Sequence, residues 1–339
     1  MYWKRVVLFC LILNGTSAWA QKTMEEYVKE GIDYHDRGQY DLAIEAYQQA
    51  LAINENSDLV NYEIAMTYHF AKQYDKALAH ADKVIQLNEK YLIPAYTTKG
   101  NCLDAMGQSE EAIKTYQEAL ARLGDNYLLY YNMALTYYNM NRSEASEAAA
   151  LQAIRINPKH ASSHLLLGYL LRDQEKKVQS ILSLHYFLFL EPHSSRSKGA
   201  FDLLTDQFYG NVEKGGGSDV TINLSSGSLD KKNEFGSAEL MISMLAASNN
   251  LEENKDKSTE ELFVSNSESF FKILGEIKKK KYRGLWWEFY VPFYYDMAQT
   301  WHLETYCYYI SQSDNPEAQA WLKANTKRLD LFNAWLSKR

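Results

Sequence analysis

From Met24 to Ser194 the chain repeats one arrangement of large, small and polar positions, with starts at Met24, Asp58, Ile93, Tyr127 and Ala161 separated by 34, 35, 34 and 34 residues. The eighth position of each stretch holds Gly31, Ala65, Gly100, Ala134 and Gly168, all small. The eleventh holds Tyr34, Tyr68, Leu103, Tyr137 and Leu171, and the twentieth holds Ala43, Ala77, Ala112, Ser146 and Ser180. Position 24 carries Tyr47, Ala81, Tyr116, Ala150 and Leu184, and position 27 carries Ala50, Val84, Ala119, Ala153 and Phe187. Apolar residues at these spacings mark the inward faces of helices. The pattern therefore predicts two helices per stretch, with small residues at positions 8 and 20 letting their axes approach and the position 11 side chain filling the space beside them. Turn chemistry agrees. Arg37-Gly38-Gln39-Tyr40 and Met106-Gly107-Gln108-Ser109 place glycine just past a first helix. Asn157-Pro158 and Glu191-Pro192 close the fourth and fifth stretches, because the residue before proline is pushed out of the helical region.

Five coincident stretches with these small and large positions resemble the tetratricopeptide repeat family over residues 24–194, about half the chain. The resemblance implies an all-α solenoid, a right-handed superhelix of helix pairs whose concave groove is lined by the first helix of each pair and binds peptides or protein segments. Two features depart from the family pattern. Pro158 and Pro192 are the only prolines at position 32, and Asn61 stands at position 4 of the second repeat where the family prefers an aromatic residue or Leu. One helix pair cannot bury its apolar face alone, so such arrays need caps. The segment 195–210, with Phe201, Leu204 and Phe208 on one face and Gly210 as a stop, is the expected cap.

Beyond it the pattern changes. Residues 211–236 contain Gly215-Gly216-Gly217 among Ser, Asp and Asn and read as a flexible linker, within which Val220 to Leu224 alternates like a strand. Residues 237–339 read as a smaller helical region. Twelve aromatic residues fall within residues 282–309, among them Trp286, Trp287, Tyr290, Tyr294, Trp301 and Tyr306. Glu288, Asp296, His302 and Glu304 interrupt that stretch too often for a membrane span. It is expected to be buried against helices carrying Phe270, Phe271 and Leu274 on one side and Trp321, Leu322, Leu329, Phe332, Trp335 and Leu336 on the other. The competing reading is an aromatic glycan-binding or catalytic site in residues 237–339.

The first twenty residues read as an export signal. Lys4 and Arg5 precede the apolar run Val6 to Leu13, and Ala18-Trp19-Ala20 offers small residues at the cleavage site, leaving Gln21 first. Eight apolar residues span about 12 Å as a helix, against the ~30 Å of a bilayer core. The expected location is periplasmic or secreted, with peripheral envelope association left open. The whole chain has a net charge of −7; without residues 1–20 it carries 34 basic and 43 acidic residues, a net −9. That balance disfavours nucleic acid as a partner. The run Lys278 to Lys281 with Arg283 reads as a solvated helix terminus. Cys102 and Cys307 are too few for a disulfide framework, although one disulfide between them is open to the sequence.

No residues match the patterns for nucleophilic, metal or nucleotide chemistry, so the expected protein has no catalytic residues, no metal and no cofactor. His160 and His164 lie four apart, but the first falls before its helix and both are expected to face solvent. Position 12 forms the row His35, His69, Asp104, Tyr138 and Arg172, in which the first three would have to converge within about 2 Å of one ion to bind metal. The groove is read from positions 2, 5, 9, 12 and 13. It is mostly apolar and aromatic, with Tyr62, Met66, Phe70, Asn101, Tyr131, Leu135, Tyr138 and Tyr169 as the expected contacts. The family's clamp for peptide carboxylates needs basic residues at positions 2 and 5, where Pro94 and Thr97 accompany Asn101. A helical or extended apolar protein segment suits this lining better. A groove filled by the chain's own C-terminal helices is the alternative.

Overall fold

The computed structural model describes residues 22–87, 90–210, 212–214, 220–223 and 233–338. The expected export signal and Gly215–Gly217 lie outside the described residues. Ten helices fill the repeated stretch: α1 (Met24–Asp36) and α2 (Tyr40–Ile53), α3 (Asp58–Phe70) and α4 (Tyr74–Leu87), α5 (Leu92–Ala105) and α6 (Ser109–Leu123), α7 (Tyr127–Asn139) and α8 (Ser143–Ile156), α9 (Ala161–Asp173) and α10 (Lys177–Leu190). The first helix of each pair begins at the start read from the sequence, except α5, which begins one residue earlier. Every second helix begins at position 17 of its repeat.

Each first helix stops for the same reason. Position 15 adopts a left-handed conformation in all five repeats, with φ of 73° at Gly38, 58° at Lys72, 78° at Gly107, 57° at Asn141 and 59° at Glu175. The N–H at position 15 then bonds the position 12 carbonyl, and the N–H at position 16 bonds the position 11 carbonyl, as in Gly38 to His35 (2.8 Å) and Gln39 to Tyr34 (2.9 Å). Carbonyls that a helix end would leave open are thereby satisfied. Glycine fits this conformation freely, whereas Lys72 and Glu175 hold it against a Cβ penalty.

The small residues do what their spacing implied. A Cβ on Gly31 would lie 2.6 Å from Cδ1 and 2.7 Å from Cζ of the buried Tyr47 ring, and one on Gly168 would lie 2.8 Å from Leu184. Position 20 adds a bond that the pattern did not reveal: Ser146 Oγ donates to the Ala134 carbonyl and Ser180 Oγ to the Gly168 carbonyl, each at 2.8 Å. The unusual Asn61 is buried, and its amide donates to the Ser57 carbonyl at 2.8 Å while its Oδ1 lies 3.0 Å from His80 Nδ1. A polar residue is tolerated there because its hydrogen bonds are met.

Two compact units divide within α5, one ending at Cys102 and the other starting at Leu103. The first is built around Val28, Ile44, Tyr47, Val60, Ile64, Tyr68 and Cys102. The second continues past the repeats into α11 (Ser197–Tyr209), a ribbon of β1 (Val212–Lys214) and β2 (Val220–Ile222), then α12 (Gly236–Ser248), α13 (Thr259–Glu276), α14 (Val291–Ala298), α15 (His302–Ile310), α16 (Pro316–Ala324) and α17 (Thr326–Leu336). The strands pair antiparallel with Val212 opposite Ile222, so the expected linker is paired strand where it is described. A five-residue π turn, Trp286–Tyr290, leads into α14.

The expected cap is an interior helix instead. Leu204 and Phe208 of α11 are fully buried, and Phe208 meets Phe270 at 5.4 Å while Phe201 meets Phe263 at 5.4 Å. The reason lies in α10, where Val178 and the whole run from Ser180 to Leu188 are buried. A helix apolar on every side needs cover on every side, and α11 alone cannot supply it. The aromatic run is that cover. Tyr282, Trp287, Tyr290, Tyr294, Tyr306 and Tyr308 are buried. Phe271 stacks on Tyr294 at 4.5 Å and Tyr308 on Trp321 at 4.2 Å, and Phe332 lies 6.4 Å from Tyr306. Lys278 to Lys281 follow the end of α13 and are exposed, as read from the sequence.

Candidate partner-binding faces

In the first unit the first-helix residues form a partly open aromatic face. Tyr62 is half-buried, stacked on Tyr91 at 5.4 Å, with its hydroxyl 3.5 Å from Met66 Sδ. Phe70 is 53% exposed; its edge meets His35 at 5.2 Å and His69 at 5.7 Å, and its face lies 6.3 Å from Tyr40. Ile32, at position 9 of the first repeat, is 38% exposed on α1. Asn101 is half-buried on α5. His35 Nδ1 lies 2.8 Å from Thr67 Oγ1 and His69 Nδ1 lies 3.4 Å from Cys102 Sγ, and burial holds both imidazoles below their ordinary pKa. They enter the face as neutral rings.

In the second unit Tyr131 packs edge-on against His160 at 4.8 Å, with Tyr127 on the same ring at 5.0 Å. Leu135 is half-buried. The Tyr138 hydroxyl donates to Asp173 Oδ2 at 2.8 Å, and Arg172 pairs with Asp173 while lying over the Tyr169 ring at 5.3 Å. Tyr169 differs from the others, because it packs against the core cluster that joins Leu165 and α10 to the C-terminal aromatic residues. The C-terminal helices thus cover the fifth repeat.

The position 12 row does not form one site. His35, His69 and Tyr138 each bond a separate neighbour, and Asp104 accepts from Ser109 at 2.6 Å and Asn139 at 3.0 Å. Among the described residues no group of three or more His, Cys, Asp or Glu side chains is placed to hold a metal. Cys102 and Cys307 are buried free thiols, not a disulfide.

Three family models match the repeated stretch: a TPR repeat over residues 31–70 and tetratricopeptide repeats over residues 56–125 and 127–160. Residues 31–160 are tetratricopeptide repeats. A TPR repeat-containing protein of Methanocaldococcus jannaschii is 30% identical over 121 residues, 36% of this chain and 21% of that protein. The small glutamine-rich tetratricopeptide repeat-containing protein 2 of Mycosarcoma maydis is 28% identical over 131 residues, 39% of this chain and 37% of that one. The chain therefore spans only about a fifth to two fifths of these relatives' length. A thermophilic TPR protein of Thermus thermophilus aligns with a TM-score of 0.46 and 17% identity over 55% of this chain and 97% of that one.

The matches stop at residue 160, yet α9 and α10 keep the repeat geometry. Their starts, the left-handed Glu175 and the Ser180 bond all fall at the same positions as in the matched TPR pairs. What sequence reasoning missed is the use of the fifth pair. His164 was expected in solvent but is fully buried, its Nδ1 2.6 Å from the Tyr290 hydroxyl and its Nε2 2.8 Å from the Pro158 carbonyl. The C-terminal region covers that face of α9. The available signal was the density of apolar residues in α10, where Val178, Ile181, Leu182, Leu184 and Tyr186 to Leu190 spread around the whole helix, which a helix with one solvent face does not need.

The aromatic run offers little open surface. Its exposed Trp301, at 48%, lies beside a surface pocket of about 420 Å³ lined also by Glu268, Lys272, Glu304 and Arg328, and the Arg328 guanidinium sits 5.3 Å above the Trp301 ring. No helix among the described residues is long and apolar enough to cross a membrane.

Proposed function

We propose that the chain is an exported, non-catalytic adaptor that holds an apolar or helical segment of another protein on its first-helix faces. In the first unit the contacts are Ile32, Tyr62, Met66, Phe70 and Asn101, and in the second Tyr131, Leu135 and Tyr138. The observation that carries this reading is the exposure of Phe70 and Ile32 on first helices of the first unit, whose other exposed large apolar side chains, Leu42 and Ile53, lie on the second helix α2. Rigid aromatic and aliphatic anchors beside neutral imidazoles favour an apolar partner. The relatives are TPR repeat-containing proteins, which supports an interaction role. Export rests on the charged, apolar and small-residue segments of residues 1–20, and a mature protein beginning at Gln21 in N-terminal sequencing would support it.

The test is crosslinking and co-purification from the native host with wild type, Phe70→Ala, and the Tyr62→Ala, Tyr131→Ala pair. Loss of one protein from both variants, at unchanged helicity, supports the adaptor. A recovered set that is the same for all three refutes it.

A further inference from the structure

The fifth repeat and the C-terminal helices meet through two imidazoles. His164 on α9 and His185 on α10 are fully buried. The Pro158 carbonyl can only accept, so His164 Nε2 carries the proton and Nδ1 accepts from the Tyr290 hydroxyl. His185 Nδ1 lies 3.0 Å from the Tyr306 hydroxyl, which also lies 3.2 Å from the His185 carbonyl, and its Nε2 has no hydrogen-bond partner. The Tyr294 hydroxyl donates to the Leu182 carbonyl at 3.0 Å. Three hydroxyls of the aromatic run thus grip α9 and α10, two of them at histidine.

The surroundings offer no counter-charge. His185 is ringed by Phe208 of α11, Phe263 and Phe271 of α13, Tyr294 of α14 and Tyr306 of α15, with ring centroids 5.0 to 6.0 Å away. The titratable members of that ring are two phenols that burial pushes well above 10. His164 faces Tyr186 of α10 together with Phe289 and Tyr290 of the π turn, and its nearest titratable neighbour of like sign is His160. No carboxylate stands among these groups.

We propose that this interface is an acid-released latch: protonation of His164 and His185 frees the C-terminal helices from α9 and α10 while the repeats stay folded. A proton on His164 Nδ1 would turn that nitrogen from acceptor to donor, so the Tyr290 hydroxyl would have to rotate and accept from a cation buried without an anion, and a charged His185 would sit among five aromatic rings, likewise without an anion. Burial holds both imidazoles at about 3 when the interface is closed. Their folded values lie below the ordinary 6.5, so their contribution to closure is complete above that pH and is lost progressively as the pH falls toward 3. Opening uncovers Leu182, Tyr186 and Phe189.

The chain carries its own probe. Apart from Trp3 and Trp19, its tryptophans are Trp286, Trp287, Trp301, Trp321 and Trp335, all in the C-terminal region. In the full chain with Trp3→Phe and Trp19→Phe, tryptophan emission reports on that region alone and far-ultraviolet circular dichroism on all helices. The expected result is a reversible red shift between about pH 6 and 4 with most ellipticity retained, and a midpoint lowered by about one pH unit or more in His164→Asn, His185→Asn. An unchanged midpoint in that variant, or loss of both signals at one pH, overturns the latch. Should the double variant not fold, the wild-type imidazole Cε1–H resonances decide. Both must stay in the neutral form down to the opening pH, and either titrating near 6.5 in the closed protein overturns the proposal.

Discussion

The contact between positions 8 and 24 can be tested as a pair. Position 8 is glycine where position 24 is large, in Gly31 with Tyr47, Gly100 with Tyr116 and Gly168 with Leu184, and alanine where it is small, in Ala65 with Ala81 and Ala134 with Ala150. In the first repeat a Cβ on Gly31 would fall 2.6 Å from Tyr47 Cδ1, against a ring that is 0% exposed and has nowhere to retreat. Gly31→Ala gains about 1 kcal/mol of helix propensity. With the ring unable to retreat, the overpacking costs about 3 kcal/mol, the upper end of its usual range, so a net loss of about 2 kcal/mol is expected. Tyr47→Ala alone leaves a cavity costing about 3–5 kcal/mol. The double variant recreates the Ala65 and Ala81 arrangement of the second repeat and relieves the clash while keeping the propensity gain, so it should lose about 3 kcal/mol less than the sum of the singles. Native-state hydrogen exchange of α1 and α2 amides reads the local opening free energy of each variant. Additivity within about 0.5 kcal/mol would show that Gly31 is not there for Tyr47.

Three further outcomes follow from the same geometry. Lys72→Gly and Glu175→Gly each remove a left-handed Cβ, worth about 1–2 kcal/mol, at a cost of about 0.4–1 kcal/mol in unfolded-chain entropy, so each should raise the urea midpoint slightly; a lowered midpoint contradicts the strain. Ser180→Ala deletes the bond to the Gly168 carbonyl and should destabilise α9 and α10 by about 1 kcal/mol in the same exchange measurement, whereas no change would show the bond to be idle. Burial pushes the Cys102 thiol up to about 12 and Cys307 higher still, so neither should react with a thiol reagent at pH 8 until the protein unfolds; a fast thiol in the native protein refutes this.

The repeat boundaries were legible because each is fixed by local chemistry. A small residue at position 8, an aromatic or Leu at 11 and a turn at 15 recur within 34 residues, and none depends on a distant segment. The turn was only partly legible. Gly38 and Gly107 announce a left-handed residue, but Lys72, Asn141 and Glu175 adopt the same conformation, closed by the same local backbone hydrogen bonds, with no glycine to announce it. Asn61 looked like a weakness and is a satisfied buried amide, since its partner His80 lies on another helix. The candidate faces follow the same rule. Tyr62, Phe70 and Tyr131 stay accessible or half-buried, whereas Tyr169 is claimed by the core that the fifth repeat shares with helices far along the sequence.

That long-range claim is where the sequence misled, and it has a measurable consequence. Reading 195–210 as a cap treats residues 22–210 as a finished solenoid with a polar outer end. In the structure the same segment ends in a helix whose Leu204 and Phe208 are buried, lying on α10 whose Leu182, Tyr186 and Phe187 are buried as well. Without α13 to α15, the fragment 22–210 would expose the faces that Phe263, Phe271, Tyr290, Tyr294 and Tyr306 now cover. Four or five such side chains uncovered together make a contiguous apolar patch of about several hundred Å², at the upper end of what a soluble monomer shows. The fragment should therefore bind a hydrophobic dye and associate in sedimentation analysis, while a fragment carrying residues 22–338 does neither. A monomeric, dye-silent 22–210 fragment of full helicity would mean that α11 closes the array unaided and that the aromatic run is an appended domain.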